Sequence, residues 1–77
     1  MGNKMTLSDG IVGKNYHVKK LALPKQQEMR LAALGLTEGT SITVLNKKLR
    51  GAVIFHVRGT RLAVGKQIAG SIQIADD

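Results

Sequence analysis

Apolar and polar residues alternate along five short stretches of this chain, each closed off by glycine, proline, asparagine or a charged turn. A period of two places successive side chains on opposite faces and marks a half-buried strand. Tyr16-His17-Val18-Lys19-Lys20-Leu21 sets Tyr16 and Val18 on one face and His17 and Lys19 on the other. Ser41-Ile42-Thr43-Val44-Leu45 repeats the pattern, and Ala52 to Val57 brings Val53, Phe55 and Val57 to one side. Between those two strands Asn46-Lys47-Lys48-Leu49-Arg50-Gly51 reads as a polar, basic hairpin tip. Arg58-Gly59 permits a tight second turn into Thr60-Arg61-Leu62-Ala63, and Ser71-Ile72-Gln73-Ile74-Ala75 supplies the last strand.

The remaining segments break this period. Leu7 to Gly13 reads as one capped turn in which Ser8 or Asp9 accepts from orphan amides while Leu7 and either Ile11 or Val12 point inward. Pro24 suits the first helical position because its missing amide is unpaired there anyway, and Lys25 to Leu34 continue the helix over about residues 24–34. Met29, Leu31, Ala32 and Leu34 make only a weak stripe, so this helix is expected to lie as a plug across an open end or edge of the sheet. Gly35 just past its end suits a Schellman stop that folds Leu36 back onto Leu31 and buries both. Thr37-Glu38-Gly39-Thr40 has a glycine where a type II turn needs positive φ. Val64 to Ala69 is expected to form a single helical turn with Ile68 and Ala69 facing in. The whole is a mainly β fold of five strands, and closure into a small SH3-like or OB-like barrel is the natural way to remove its exposed edges. Residues 1–4 read as a flexible lead-in, 5–75 as one domain and 76–77 as an acidic tail. A chain of 77 residues buries only about 60% of its unfolded surface, which leaves room for one modest core.

Arg30-Leu31, the triplet Leu34-Gly35-Leu36 and Glu38-Gly39 resemble the core motif of the small bacterial ferrous iron transport protein A family, whose members are SH3-like barrels. Leu7, Gly13, Arg58-Gly59, Leu62-Ala63-Val64, Ala69, Ile72 and Ile74 are similar to that family's other landmarks and stand in the same order. One departure is Gly65, with Lys66 next to it, where many members carry a polar or basic side chain. The resemblance implies a cytoplasmic accessory protein of ferrous iron uptake, without a cofactor of its own. It further implies action with a large membrane permease that carries a cytoplasmic G-protein domain, so that the protein meets the membrane only through its partner. The chain also resembles the SH3-like C-terminal domain of iron-dependent repressors, here without a DNA-binding partner domain.

Composition narrows the chemistry. Without cysteine there is no disulfide, thiolate nucleophile or cysteine-ligated metal, which fits a reducing compartment. Apolar runs such as Ala52-Val53-Ile54-Phe55 fall far short of the roughly 20 residues that span a bilayer, and no apolar stretch follows Lys4. Met1 to Thr6 fits the loose N-myristoylation pattern, for which chance is the better account, and either Met1 or Met5 serves as a start. His17 and His56 occupy outward strand positions, and no serine or carboxylate completes a triad or an acid-base pair, so an enzyme is not expected. Asp9, Glu28, Glu38 and the histidines are scattered without ligand spacing, so no metal site is expected either.

The formal charge of +7 attracts anionic surfaces generally. Lys47, Lys48, Arg50, Arg58, Arg61 and Lys66 lie between Glu38 and Asp76 with no acidic residue among them, either as a soluble surface or as a partner-binding patch. Leu49 within it either folds back onto the sheet or stands out as an anchor rimmed by charge. The candidate partner-binding residues are therefore Lys47, Lys48, Leu49, Arg50, Arg58 and Arg61. A basic barrel that binds nucleic acid is the competing reading, and it lacks stacking platforms because Tyr16 and Phe55 are the only aromatics. No stable nucleic-acid complex is expected. Arg30 near the helix end is favoured by the dipole and placed to pair with Glu38.

Overall fold

The computed structural model describes residues 5–77, so the lead-in at residues 1–4 and most of the myristoylation pattern lie outside the described residues. Among the described residues six strands form one antiparallel sheet: β1 (Met5–Thr6), β2 (Asn15–Leu21), β3 (Ser41–Lys47), β4 (Val53–Val57), β5 (Thr60–Val64) and β6 (Ile72–Asp76). Two helices interrupt them, α1 (Lys25–Ala33) and α2 (Lys66–Ser71), and a 3-10 turn spans Leu7–Asp9. The spatial order is β1-β6-β2-β3-β4-β5.

Two expectations are corrected here. The strand count is six, because Met5 and Thr6 pair with Ile74 and Gln73; two residues carry too little alternation to be read as a strand. The barrel is also not closed, since β1 and β5 stand at opposite ends of the sheet and do not pair. A two-residue β1 reaches only β6; the 3-10 turn lies against α2, and Leu7 and Ala69 from those segments are fully buried, while the outer edge of β5 stays open.

The alternation read from the sequence does set the core. Tyr16, Val18, Leu21, Ile42, Val44, Val53, Phe55, Val57, Ile72 and Ile74 all turn inward from their strands and join Leu7, Leu36, Val64 and Ala69. Gly10 sits where an added Cβ would stand 2.8 Å from Val44 Cγ2, so the turn after Leu7 packs onto β3 with no space for a side chain. Ile11 and Val12, one of which was expected inside, are 62% and 53% exposed. The backbone explains it. The Ile11 N–H donates to the buried Tyr16 hydroxyl at 2.8 Å, which turns the Ile11 side chain out. Asp9 acts as a cap, accepting from the Thr6 N–H at 2.9 Å.

The helix stop forms as its residues dictate. Gly35 has φ +100°, the Gly35 N–H donates to Ala32 O at 3.0 Å and the Leu36 N–H to Leu31 O at 2.9 Å, which is the Schellman pair. Leu36 is buried, whereas Leu31 is half-buried and not enclosed as expected. Gly39 at φ +87° and the bond from the Thr40 N–H to Thr37 O, 3.1 Å long, complete the type II turn. The helix itself is no plug, because none of its residues is buried and Met29 and Leu34 remain exposed. α2 begins at Lys66 rather than Val64, since Val64 is the last residue of β5, opposite Val53.

Candidate functional site

The basic residues singled out in the sequence are all exposed, but the fold divides them. The β3–β4 hairpin turns at Lys48-Leu49-Arg50-Gly51, closed by the Lys48 N–H to Ala52 O at 2.8 Å and the Gly51 N–H to Lys48 O at 3.0 Å. Gly51 at φ +89° is needed for that turn, and the Lys66 side chain lies over it, its Cγ 2.8 Å from where a Cβ would be. Lys48, Arg50 and Lys66 therefore share one end of the molecule. At their centre Leu49 is fully exposed, with 107% relative accessibility, so it does not fold back onto the sheet.

Lys47 is drawn away from this group. A bulge at Leu45, between the Val44–Phe55 and Asn46–Ile54 pairs, shifts the alternation so that Lys47 stands opposite the buried Val53. Its Nζ then donates to Gly10 O at 2.9 Å. Arg58 belongs to the far end of the hairpins: it adopts φ +49° in the β4–β5 turn, and its side chain crosses Gly35. The five residues of β4 separate it from the Leu49 tip by roughly 17 Å. Arg61 lies mid-strand opposite His56. Of the six candidate residues, the structure thus groups Lys48, Leu49 and Arg50, leaves Arg61 along the adjoining face, and sets Lys47 and Arg58 apart.

Two concave surfaces flank these elements. One, of about 610 Å³, is lined by Leu45, Ile54, Leu62 and Ala63 with Lys48 and Arg61 among them. The other, of about 510 Å³, lies between the Ala22-Leu23-Pro24 segment with Gln27 and the α2 residues Gln67, Ile68 and Ser71. The first was missed in the sequence, although Ile54 gave a signal: it is an apolar residue at an outward position between Val53 and Phe55. Leu45 gave a similar one, since it follows the apolar Val44 and so breaks the alternation where the bulge lies.

Charge pairs are few. Among the described residues, Lys14 Nζ lies 2.8 Å from Asp76 Oδ1, and His17 Nδ1 lies 3.7 Å from Asp77 Oδ1. The hydrogen bond to Asp76, and then the charge of its carboxylate, raise the Lys14 pKa. The expected Arg30–Glu38 pair does not form among the described residues. No three His, Asp or Glu side chains among the described residues converge on a point that suits a metal ion, and no described helix is long and apolar enough to cross a membrane. Leu49 thus stands exposed between Lys48 and Arg50, beside the groove that Lys48 helps to line.

A family model described as the FeoA domain matches residues 5–76. The solution structure of FeoA protein from Chlorobium tepidum is similar at a TM-score of 0.86, with 26% identity over 94% of this chain and 70% of that one. A crystal structure described as an iron uptake regulatory protein (FeoA) is 32% identical, covering 90% of each chain at a TM-score of 0.78. A manganese-dependent transcriptional repressor shares the fold over 41% of its own length, at a TM-score of 0.84 and 16% identity. No match is found among curated proteins.

Proposed function

The chain belongs to the FeoA family, and on that premise we propose that it is a cytoplasmic accessory protein of ferrous iron uptake. In this reading it binds the cytoplasmic part of a membrane permease, at the G-protein domain or the nearby helices, and modulates transport or nucleotide turnover. It performs no chemistry itself. The observation that carries the reading to particular residues is Leu49, wholly exposed at a hairpin tip between Lys48 and Arg50. An isolated leucine held out in water gains by burial against a partner, and its cationic neighbours speed encounter with an acidic surface. Family membership supports iron uptake as the setting; the tip supports protein binding as the mode.

Pull-down from the native host's membranes with immobilised protein tests the reading. At low salt the permease is the expected prey, and elution without it would remove the assignment. Replacing Lys48 and Arg50 by glutamate should lower the association rate and its salt dependence. Leu49→Ala should instead raise the dissociation rate about tenfold, the effect of losing about 1.4 kcal/mol of anchor burial. Unchanged rates in both variants would move the interface elsewhere. Nucleic acid in place of permease would favour the competing reading, and such binding would weaken steeply with salt through counterion release.

A further inference from the structure

Among the described residues the outer side of β5 is a sheet edge without a neighbour, because β5 stands last in the strand order and pairs only with β4. The tight turn fixes which of its backbone groups are free. In a two-residue turn the carbonyl before it accepts from the amide after it, so Val57 and Thr60 form the bonded pair. Bonded and non-bonded pairs alternate along an antiparallel ladder, which makes Phe55–Leu62 and Val53–Val64 bonded as well. Arg61 and Ala63 therefore direct their N–H and C=O groups away from β4, toward the open edge. Both are exposed. Their side chains also line the 610 Å³ groove, in which Leu45 and Ile54 offer apolar surface and Lys48 adds a second cation.

We propose that the open edge of β5 receives an extended, acidic segment of a partner protein as a seventh strand. The two free donors and two free acceptors of Arg61 and Ala63 hold its backbone. Every second side chain of the segment faces the groove, apolar ones against Leu45 and Ile54 and carboxylates against Lys48 and Arg61, which line the same face. Main-chain pairing gives affinity while the groove selects every second side chain. The charge argument separates this occupant from a second copy of the chain, since two molecules of formal charge +7 would bring Arg61 and Lys48 against their own kind. The inference rests on the reading that the protein acts by binding another protein, and it names the chemistry of the bound segment and the edge that takes it.

The test uses a fluorescein-labelled decapeptide in which threonine fills every second position and valine and glutamate alternate at the others, so that both share one face of the strand, with lysine-for-glutamate and proline-interrupted versions as controls. Only the acidic, uninterrupted peptide should raise anisotropy at low salt. In the amide spectrum of the full chain, the Arg61 and Ala63 protons should exchange about tenfold more slowly once it is bound. Arg61→Glu should weaken the peptide about tenfold. Ala63→Pro removes an outward donor that the β4 ladder does not use, and should abolish edge protection while the spectrum remains that of a folded protein. No binding, or shifts confined to the cleft between α1 and α2, would overturn the proposal. So would protection of residues 61 and 63 that rises with protein concentration alone, which would make a second copy the occupant. Permease capture without peptide binding would sink the β5 assignment and leave the proposed function standing; peptide protection without permease capture supports the edge and sinks the proposed partner.

Discussion

Gly35 and Gly39 carry the same backbone demand in different surroundings, and the pair separates conformation from contact. Both have positive φ, but an added Cβ at Gly39 meets nothing within 4 Å, whereas at Gly35 it would stand 3.0 Å from Arg58 Cδ. Gly39→Ala should therefore cost the left-handed penalty alone, about 1–2 kcal/mol. Gly35→Ala should cost about the same if the long Arg58 side chain swings aside, and thermal denaturation of the two variants makes the comparison. In a domain this small each kcal/mol lowers Tm by about 4–8 °C. A much larger loss at Gly35 would mean that Arg58 is held in place and helps to lock the helix stop. These two glycines were legible in the sequence because a Schellman stop and a type II turn are specified within a few residues. The outward turn of Ile11 was not, since its N–H bonds to the hydroxyl of Tyr16, whose position depends on the assembled sheet. Leu49 stood between two readings for a similar reason: only the closed turn shows that its side chain leaves the surface.

Helices and strands differ in what fastens them. The strands are held by paired backbones and by inward rows that the alternation had already marked, so β2, β3, β4 and β6 were readable. α1 is tied at its ends, where the half-buried Leu23 packs before it and the buried Leu36 after it, and of its own residues only the half-buried Leu31 packs against the core. Of its expected stripe only Leu31 packs against the core, while Met29, Ala32 and Leu34 stay exposed, too little area to make the helix a plug. Met29→Ser should accordingly change stability by less than about 0.5 kcal/mol, as surface substitutions do. Leu36→Ala, at a fully buried position just past the helix, should cost about 2–5 kcal/mol. Denaturant titration of the two variants checks both values. Amide exchange should also find α1 among the fastest elements, because few buried contacts oppose its opening; slow exchange throughout α1 would show a stabilising contact that its exposure does not suggest.

The molecule as a whole combines a strong positive charge with a sheet that has two unlike ends. Its charge was readable from composition, but the openness of the sheet was not, because closure depends on whether a segment as short as Met5–Thr6 reaches β5. The exposed Lys14–Asp76 pair beside β2 and β6 gives stability a pH signature. The folded state holds the lysine proton more tightly than the unfolded chain, so this contribution is complete below lysine's ordinary value of 10.5 and is lost as pH rises through the raised folded value. The Tm difference between the native chain and Lys14→Gln should stay constant from neutral pH upward and vanish only in that alkaline window. A difference that disappeared nearer neutrality would assign the effect to another group. The strand order bears on time as well. β3, β4 and β5 are joined by short turns, while Tyr16 must find Asp76 near the other end of the sequence, and β1 has no neighbour until β6 is in place. Closing so long a loop costs entropy before any contact repays it, so the local meander is expected to form in the folding transition state and β6 to dock afterwards. Val57→Ala should then mainly slow folding, and Ile74→Ala mainly accelerate unfolding, as the two arms of a chevron plot would show. The strand that joins β1 to the rest of the sheet is then also its kinetic latch: what sets the lifetime of the native state is how rarely β6 lets go.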